Sequence, residues 1–341
     1  NIKLMLAGDV DLQTWYKPEV NKKILKELSK RSDSKGIIDV SLFIIAILTS
    51  GYLCVITWGT LWSIPALLLY GNIFYCKVIS IQHETNHETY FKSRSLNKIF
   101  YNITSLLGGF EVVRWKWSHY HHHTYTIFTH NEVYDYEANS PRPTEPIRFL
   151  LNFLPLGPIL NIQKVRHFTH FEIIKHSLGV ISNVVKLTVP ENEIKKVINS
   201  SRLYVLFWLS VISASLYFGT WLPIVMILLP PFYGNTILMI CTMTQHAGLA
   251  ENAKDHRKST RTVILNPFFS FLYSNMEYHI EHHIFPKIPF YNLKKLHKVI
   301  EDQMPSPKRG IVDAYIDIIP TIFKQAKDKN YFIEVELPKI N

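Results

Sequence analysis

The chain has 341 residues, of which 47% are hydrophobic and 19% charged, and its formal net charge is +10. Mean hydropathy is +0.04, high for a soluble enzyme and low for a chain made wholly of membrane spans. This excludes disorder and collagen-like or low-complexity architecture, and points to some spans in lipid with a sizeable polar part outside it. Histidine is the anomaly: its 16 residues are roughly twice ordinary usage. Cys54, Cys76 and Cys241 all sit in apolar stretches without CxxC spacing. No disulfide framework is expected, and the polar part is expected to face a reducing cytosol.

Residues 1–36 are polar and carry Lys22, Lys23, Lys26, Lys30, Arg31 and Lys35 close together. The chain starts at Asn1, so its start is expected to be processed or incomplete. The basic run lies too far from a short apolar core to serve as a signal peptide. From Ile37 to about Trp58 the only charge is Asp39, and about 20 apolar residues suffice to span a bilayer as a helix. A Gly-Thr-Leu-Trp turn leads into a second apolar run from Trp62 to about Ile81, which closes a helical hairpin over 37–81. Polar chain resumes over 82–202, where Leu96–Val113 and Phe149–Ile162 read as interfacial segments. A second hairpin over 203–246 is predicted from apolar runs Leu203–Gly219 and Trp221 to about Met243. Gly219 and Thr220 supply its turn, Pro223 a helix start, and Pro230-Pro231 a kink. Residues 247–341 follow, ending in the cap-like tail Tyr291–Asn341.

The flank before the first run is rich in Lys and Arg, and both hairpin turns lack them. By the positive-inside rule, both termini and the middle section are cytoplasmic. The +10 charge is then assigned to flanks lying on anionic lipid. No basic stripe lies outside those flanks, so no nucleic-acid partner is expected. The predicted fold is an all-α integral membrane protein: four transmembrane helices in two hairpins, with a cytoplasmic helical cap.

Three histidine clusters stand out: His83-Glu-Thr-Asn-His87, His119-Tyr-His-His122-His123 and His279-Ile-Glu-His282-His283. On a helix, positions i, i+3 and i+4 share a face, so His83 and His87 point one way. The same holds for His119, His122 and His123, and for His279, His282 and His283. Partly buried imidazolium groups would repel one another, whereas neutral imidazole is a common ligand for Zn, Fe, Cu and Ni. A lone zinc takes three or four protein ligands, so eight histidines suit two ions. Under the four-span topology all three clusters reach one membrane depth. His246 stands at the end of the last run, where an ionisable side chain is costly and defaults to a functional reading. Its two readings are a ninth ligand or a helix-end histidine bonded to the last carbonyls. His121 falls on the wrong face of the second cluster. His130, His167, His170, His176 and His297 read as bystanders, and His256 stays open.

HETNH, HYHHH and HIEHH resemble the three histidine boxes of the membrane fatty acid desaturases and their hydroxylase relatives. The stretch Asn275-Met-Glu-Tyr-His-Ile-Glu-His-His-Ile-Phe-Pro286 is similar to that family's third box. Gln245-His-Ala-Gly-Leu-Ala-Glu251 and Ser259-Thr-Arg-Thr262 resemble a bacterial subgroup that includes rhizopine-catabolism oxygenases. The resemblance implies two histidine-bound irons, O2 as oxidant and electrons from a separate donor. Carried over residue by residue, it gives one iron His83, His123, His279 and His283. It gives the other His87, His119, His122 and His282, with His246 as a further candidate.

The implied reaction is O2-dependent desaturation of a fatty acyl chain in a membrane lipid or other carrier. The alternative is hydroxylation or monooxygenation at the same centre. From another class, a histidine-rich metal transporter would need polar groups at mid-membrane, which these spans nearly lack. Glu84, Glu88, Glu277, Glu281, Asp135 and Asp255 are candidates to hold the far ring nitrogens of ligating histidines. Arg114, Trp115 and Trp117 read as acyl-channel lining or as interface anchors. No cytochrome b5 haem motif, ferredoxin cysteine set or G-x-G-x-x-G loop is present. The donor is therefore expected to be a separate protein of ferredoxin or cytochrome b5 type, steered by a basic cytoplasmic face.

Overall fold

The computed structural model describes residues 15–137, 145–160 and 169–338. The described residues are helical, with only the isolated bridges Thr262–Tyr278 and Val263–Lys308 in extended pairing. A short basic helix, α1 (Lys22–Leu28), precedes the first long one, α2 (Asp33–Thr57). The Ser32 side chain caps α2 by accepting from the Lys35 N–H, and Asp33 sits favourably in its first turn. Helix α3 (Ser63–Asn86) returns alongside it. Beyond it lie α4 (Arg94–Gly108), α5 (Val112–Thr124) and α6 (Thr169–Ser177). The next long helix is α7 (Ile194–Phe218).

Among the described residues, three helices are long and apolar enough to cross a membrane: Asp33–Thr57, Ser63–Asn86 and Glu191–Phe218, the last counting the short turn that leads into α7. They sit differently. Helices α2 and α7 present apolar side chains such as Ile45, Leu48, Leu203 and Leu206 outward, as helices facing lipid do. Helix α3 is buried along most of its length, between α2, α4 and the chain that follows α7. Its charged Lys77 is fully buried. It pairs with Asp39 at 2.7 Å and donates to the Phe271 carbonyl at 2.6 Å and Ser274 Oγ at 3.0 Å. Tyr90 bonds the same Asp39. A lysine this deep is tolerated because every neighbour offered to it is an acceptor.

The fourth apolar run differs from the expected kinked helix. It is broken into a π-helical segment (Ile224–Leu228), α8 (Pro230–Tyr233) and α9 (Thr236–His246). Pro230 and Pro231 provide no N–H for the preceding turn, and the Leu229 N–H bonds the Ile224 carbonyl at 3.1 Å in the wider register. No single helix there reaches spanning length. The break lets Gly234 approach the backbone of Gly71 on α3: a Cβ on Gly234 would lie 2.2 Å from the Gly71 carbonyl carbon.

The third cluster rides on α10 (His279–Ile284), followed by α11 (Phe290–Ile300) and α12 (Ile311–Gln325). The tail packs as a cap. Helix α12 buries Ala314, Ile318 and Ile322 against Met243 and Ala247 at the end of α9. Helix α11 joins Leu28 of α1 in a second apolar cluster and donates from Asn292 Nδ2 to the Leu28 carbonyl at 2.8 Å. All three cysteines are buried free thiols.

Candidate metal centre

Four helix segments deliver the nine histidines. His83 and His87 end α3, and His246 ends α9. Helix α5 is started by Glu111, whose carboxylate accepts from the Val113 and Arg114 N–H groups, and it carries His119, His122 and His123 one to two turns on. Helix α10 is six residues long and wholly buried apart from its last residue's edge, and it carries His279, His282 and His283. Seven of the nine are buried; His123 and His246 are half-buried.

Their ring nitrogens gather into two groups, each with ligand atoms within 4.8 Å of one another: His83, His87, His119, His123 and His282, and His122, His246, His279 and His283. The Nε2–Nε2 separations are 2.8 Å for His87–His119 and 3.2 Å for both His119–His123 and His123–His282. In the second group they are 3.1 Å for His246–His279 and His279–His283. Two imidazole nitrogens bound to one ion at about 2.1 Å lie about 3.0–3.4 Å apart, so these separations match the edges that a coordination polyhedron would have. Both ring nitrogens of His83 are buried without a hydrogen-bond partner, as are His123 Nδ1 and His282 Nδ1. A donor set that is all nitrogen, buried and partly orphaned fits a transition-metal pair.

The partition differs from the one the family resemblance implied. Residues at i and i+4 stay together: His83 with His87, His119 with His123, and His279 with His283. The i+3 member crosses over, so His122 of the second box joins the third box's pair and His282 of the third joins the second's. A helix turns by 3.6 residues, so i+3 and i+4 flank its face on opposite sides. The two flanks of each helix face are thereby divided between the two groups.

Behind the rings stands a layer of fixed partners. His119 Nδ1–H donates to Glu137 at 2.6 Å and His122 Nδ1–H to Asp135 at 2.7 Å. His246 Nδ1–H donates to the Ser259 carbonyl at 2.9 Å, a contact outside its own helix. Gln245 Nε2 is 3.1 Å from His279 Nδ1, and Thr126 Oγ1 is 3.2 Å from His283 Nδ1. These bonds at Nδ1 leave Nε2 facing the cluster. Burial, then the neighbouring imidazoles, holds His123, His279, His282 and His283 well below the ordinary histidine value, so they are neutral and ligand-ready. Burial also disfavours charge on His122, but the Asp135 carboxylate outweighs it and lifts His122 to about 9. Asp135 itself is held at about 2: burial pushes it up, and its His122 partner more than reverses this.

The other expectations sort themselves by contact. Glu84 Oε1 lies 3.5 Å from His83 Nδ1 and 3.8 Å from His282 Nδ1, near enough for charge but not a hydrogen bond. Glu88 is exposed at a positive φ. Glu277 bonds Ser270, and Asp255 bonds Arg257. Glu281 accepts from Thr262 at 2.6 Å and His297 at 2.5 Å, so none of these three touches a clustered histidine ring through a hydrogen bond. Glu137 was not anticipated: it lies 18 residues beyond His119 in irregular chain, and no periodicity links the two. His121 turns away to the Val133 carbonyl at 3.3 Å. His130 is exposed, His170 stacks on Trp208, and His176 bonds Ser182. His167 lies outside the described residues. His256, left open by the sequence, is buried 4.9 Å from the His283 ring. Trp115 stacks on His119 at 5.3 Å, Trp117 packs into a valine cluster, and Arg114 pairs with Glu172 at 3.1 Å.

A sequence profile of the family described as fatty acid desaturase matches residues 56–314, a stretch that contains all nine histidines. Dihydrorhizobitoxine desaturase of Bradyrhizobium elkanii is 23% identical over 276 residues, covering 75% of this chain and 72% of that protein. Family profile and histidine clusters agree on a metal-dependent oxidoreductase with apolar membrane helices. The chain belongs to the fatty acid desaturase family.

Proposed function

We propose that this protein is a membrane-bound, non-haem di-iron desaturase that uses O2 to introduce a double bond into a fatty acyl chain. The observation that carries the reading is the pair of histidine groups at coordination-edge spacing, five rings in one and four in the other. His83, His87, His119, His123 and His282 would hold one iron, and His122, His246, His279 and His283 the other. Bound there, the irons would supply O2-dependent removal of hydrogen from an unactivated C–H bond, which no side-chain acid, base or nucleophile achieves.

The chain's own part is ligation, orientation and exclusion of water. Burial keeps His123, His279, His282 and His283 neutral, and Glu137, Asp135 and the Ser259 carbonyl fix which nitrogen of their partner histidines faces the metal. Trp115 closes one side of the site over His119. In this reading the chain passes the bilayer four times, the broken run being the fourth pass, and the site and both termini are cytoplasmic. The donor in this reading is a separate ferredoxin- or cytochrome b5-type protein.

Two measurements test it. Purified protein should hold close to two irons per chain, and a stable single zinc after growth in iron-rich medium would sink the reading. Mass spectrometry of lipids and small metabolites from cells with and without the gene should show a product lighter than its precursor by two hydrogens. A product heavier by one oxygen would reassign the enzyme as a hydroxylase.

A further inference from the structure

The segment just before α1 is tied down far from its neighbours in sequence. The Tyr16 N–H donates to the Lys254 carbonyl at 3.3 Å, and the Arg257 guanidinium lies 3.2 Å over the Tyr16 ring. Asp255 holds that guanidinium through both carboxylate oxygens. The arrangement lays the half-buried Trp15 flat on the buried His256, with ring centroids 4.3 Å apart and planes 13° off parallel. His256 in turn lies 4.9 Å from His283, a member of the four-histidine group. His256 does not belong to either group, and the metal-holding geometry leaves it no function. Three π systems therefore run in contact from the surface to the cluster. In the segment that follows Trp15, Lys17, Lys22, Lys23 and Lys26 are exposed, against the exposed acids Glu19 and Glu27.

We propose that Trp15 and His256 form the inlet by which electrons from an acidic protein donor reach the second histidine group through His283. The inference rests on the di-iron reading above. Each transfer oxidises a reduced one-electron donor by one electron and reduces the metal pair by one. Electron transfer weakens steeply with the gap to be crossed, and contact-stacked rings shorten that gap. Attraction to the net-basic segment that adjoins Trp15 would bring an acidic donor to the outer ring. Trp15 and His256 are positioning and conducting groups here, not ligands.

The test need not identify the donor. The native cysteines are all buried, so Lys17→Cys can be labelled selectively with a ruthenium photosensitiser. A flash then injects one electron beside Trp15, and absorbance reports its arrival at the iron. Trp15→Leu and His256→Leu should each slow arrival about tenfold or more. Trp15→Phe should restore most of the rate, and iron content should be equal in all. Equal arrival rates in Trp15→Leu, Trp15→Phe and the parent would overturn the route. Should Trp15→Leu lose iron, the comparison of Trp15→Phe with the parent decides instead: a tenfold drop despite a retained ring would also overturn it. If excess dithionite reduces nothing in the parent protein, the di-iron reading itself fails, and the two failures are told apart.

Discussion

Glu137 and His121 make a matched pair of tests because each isolates one contact. The Glu137 carboxylate accepts from His119 Nδ1 at 2.6 Å, while His121 faces the Val133 carbonyl on the far side of α5. Losing a carboxylate behind a ligating histidine typically costs 10–100-fold in metal affinity. Glu137→Gln should therefore weaken iron binding by about 10–100-fold in a chelator competition, with helicity unchanged. His122→Ala and His123→Ala should lose iron, and His121→Ala should keep it. Unchanged affinity in Glu137→Gln would remove it from the support of His119. At this scale the sequence was legible wherever a helix imposed a period. The spacings of three and four point to the eight box histidines and the depth of His246 to one more, and the fold gathers these nine into two groups. Glu137 escaped because irregular chain brings it back, and Glu281 misled because its helix aims it outward, toward His297 and Thr262. The partition between the two groups was illegible for another reason. Spacing says which residues share a face, but the split depends on where the ions sit across it.

The contact between α3 and the broken fourth run is an element-scale feature that hydropathy does not register. An apolar average over Trp221–Met243 treats proline and glycine as neutral, so the run reads as one helix. The two prolines break the hydrogen-bond ladder, and Gly234 then presses backbone to backbone on Gly71. The two glycines are not equivalent. A Cβ on Gly71 would meet the Tyr233 side chain at 2.2 Å and backbone only at 3.1 Å, at the Gly234 Cα. A Cβ on Gly234 would meet the Gly71 carbonyl group, which cannot move without displacing α3. Overpacking of this kind typically costs about 1–3 kcal/mol. Gly234→Ala should therefore lower Tm more than Gly71→Ala in detergent thermal scans. It should also lower iron content, because α9 carries His246 directly downstream. A Tm equal to the parent's would mean that the two segments are less tightly seated than their backbones indicate.

For the whole molecule, the decisive question is whether the elements that carry histidines arrive on one side of the bilayer. The clusters converge in space, with α3, α5, α9 and α10 meeting at their histidine ends. Irregular backbone of the kind around residues 125–137 and 247–262 is tolerated in lipid only when covered by protein, so the proposed topology puts the whole centre at one membrane face. The turns at residues 58–62 and 219–221 stand at the far ends of α3 and α7 and carry no charge, while α1 and α11 bear exposed lysines. By the positive-inside rule, the proposed topology has the basic side in the cytoplasm. The native thiols are buried, so introduced cysteines report accessibility cleanly. Leu61→Cys and Tyr217→Cys, both 85% exposed at the far ends, should react with a membrane-impermeant maleimide in intact cells. Lys26→Cys on α1 and Lys298→Cys on α11 should react only after the membrane is opened. If Lys26→Cys and Lys298→Cys instead label on opposite sides, the fourth run does not cross. His279, His282 and His283 would then be carried to the same side as Lys298, away from His83, His87 and His119, and the three clusters could no longer share one centre.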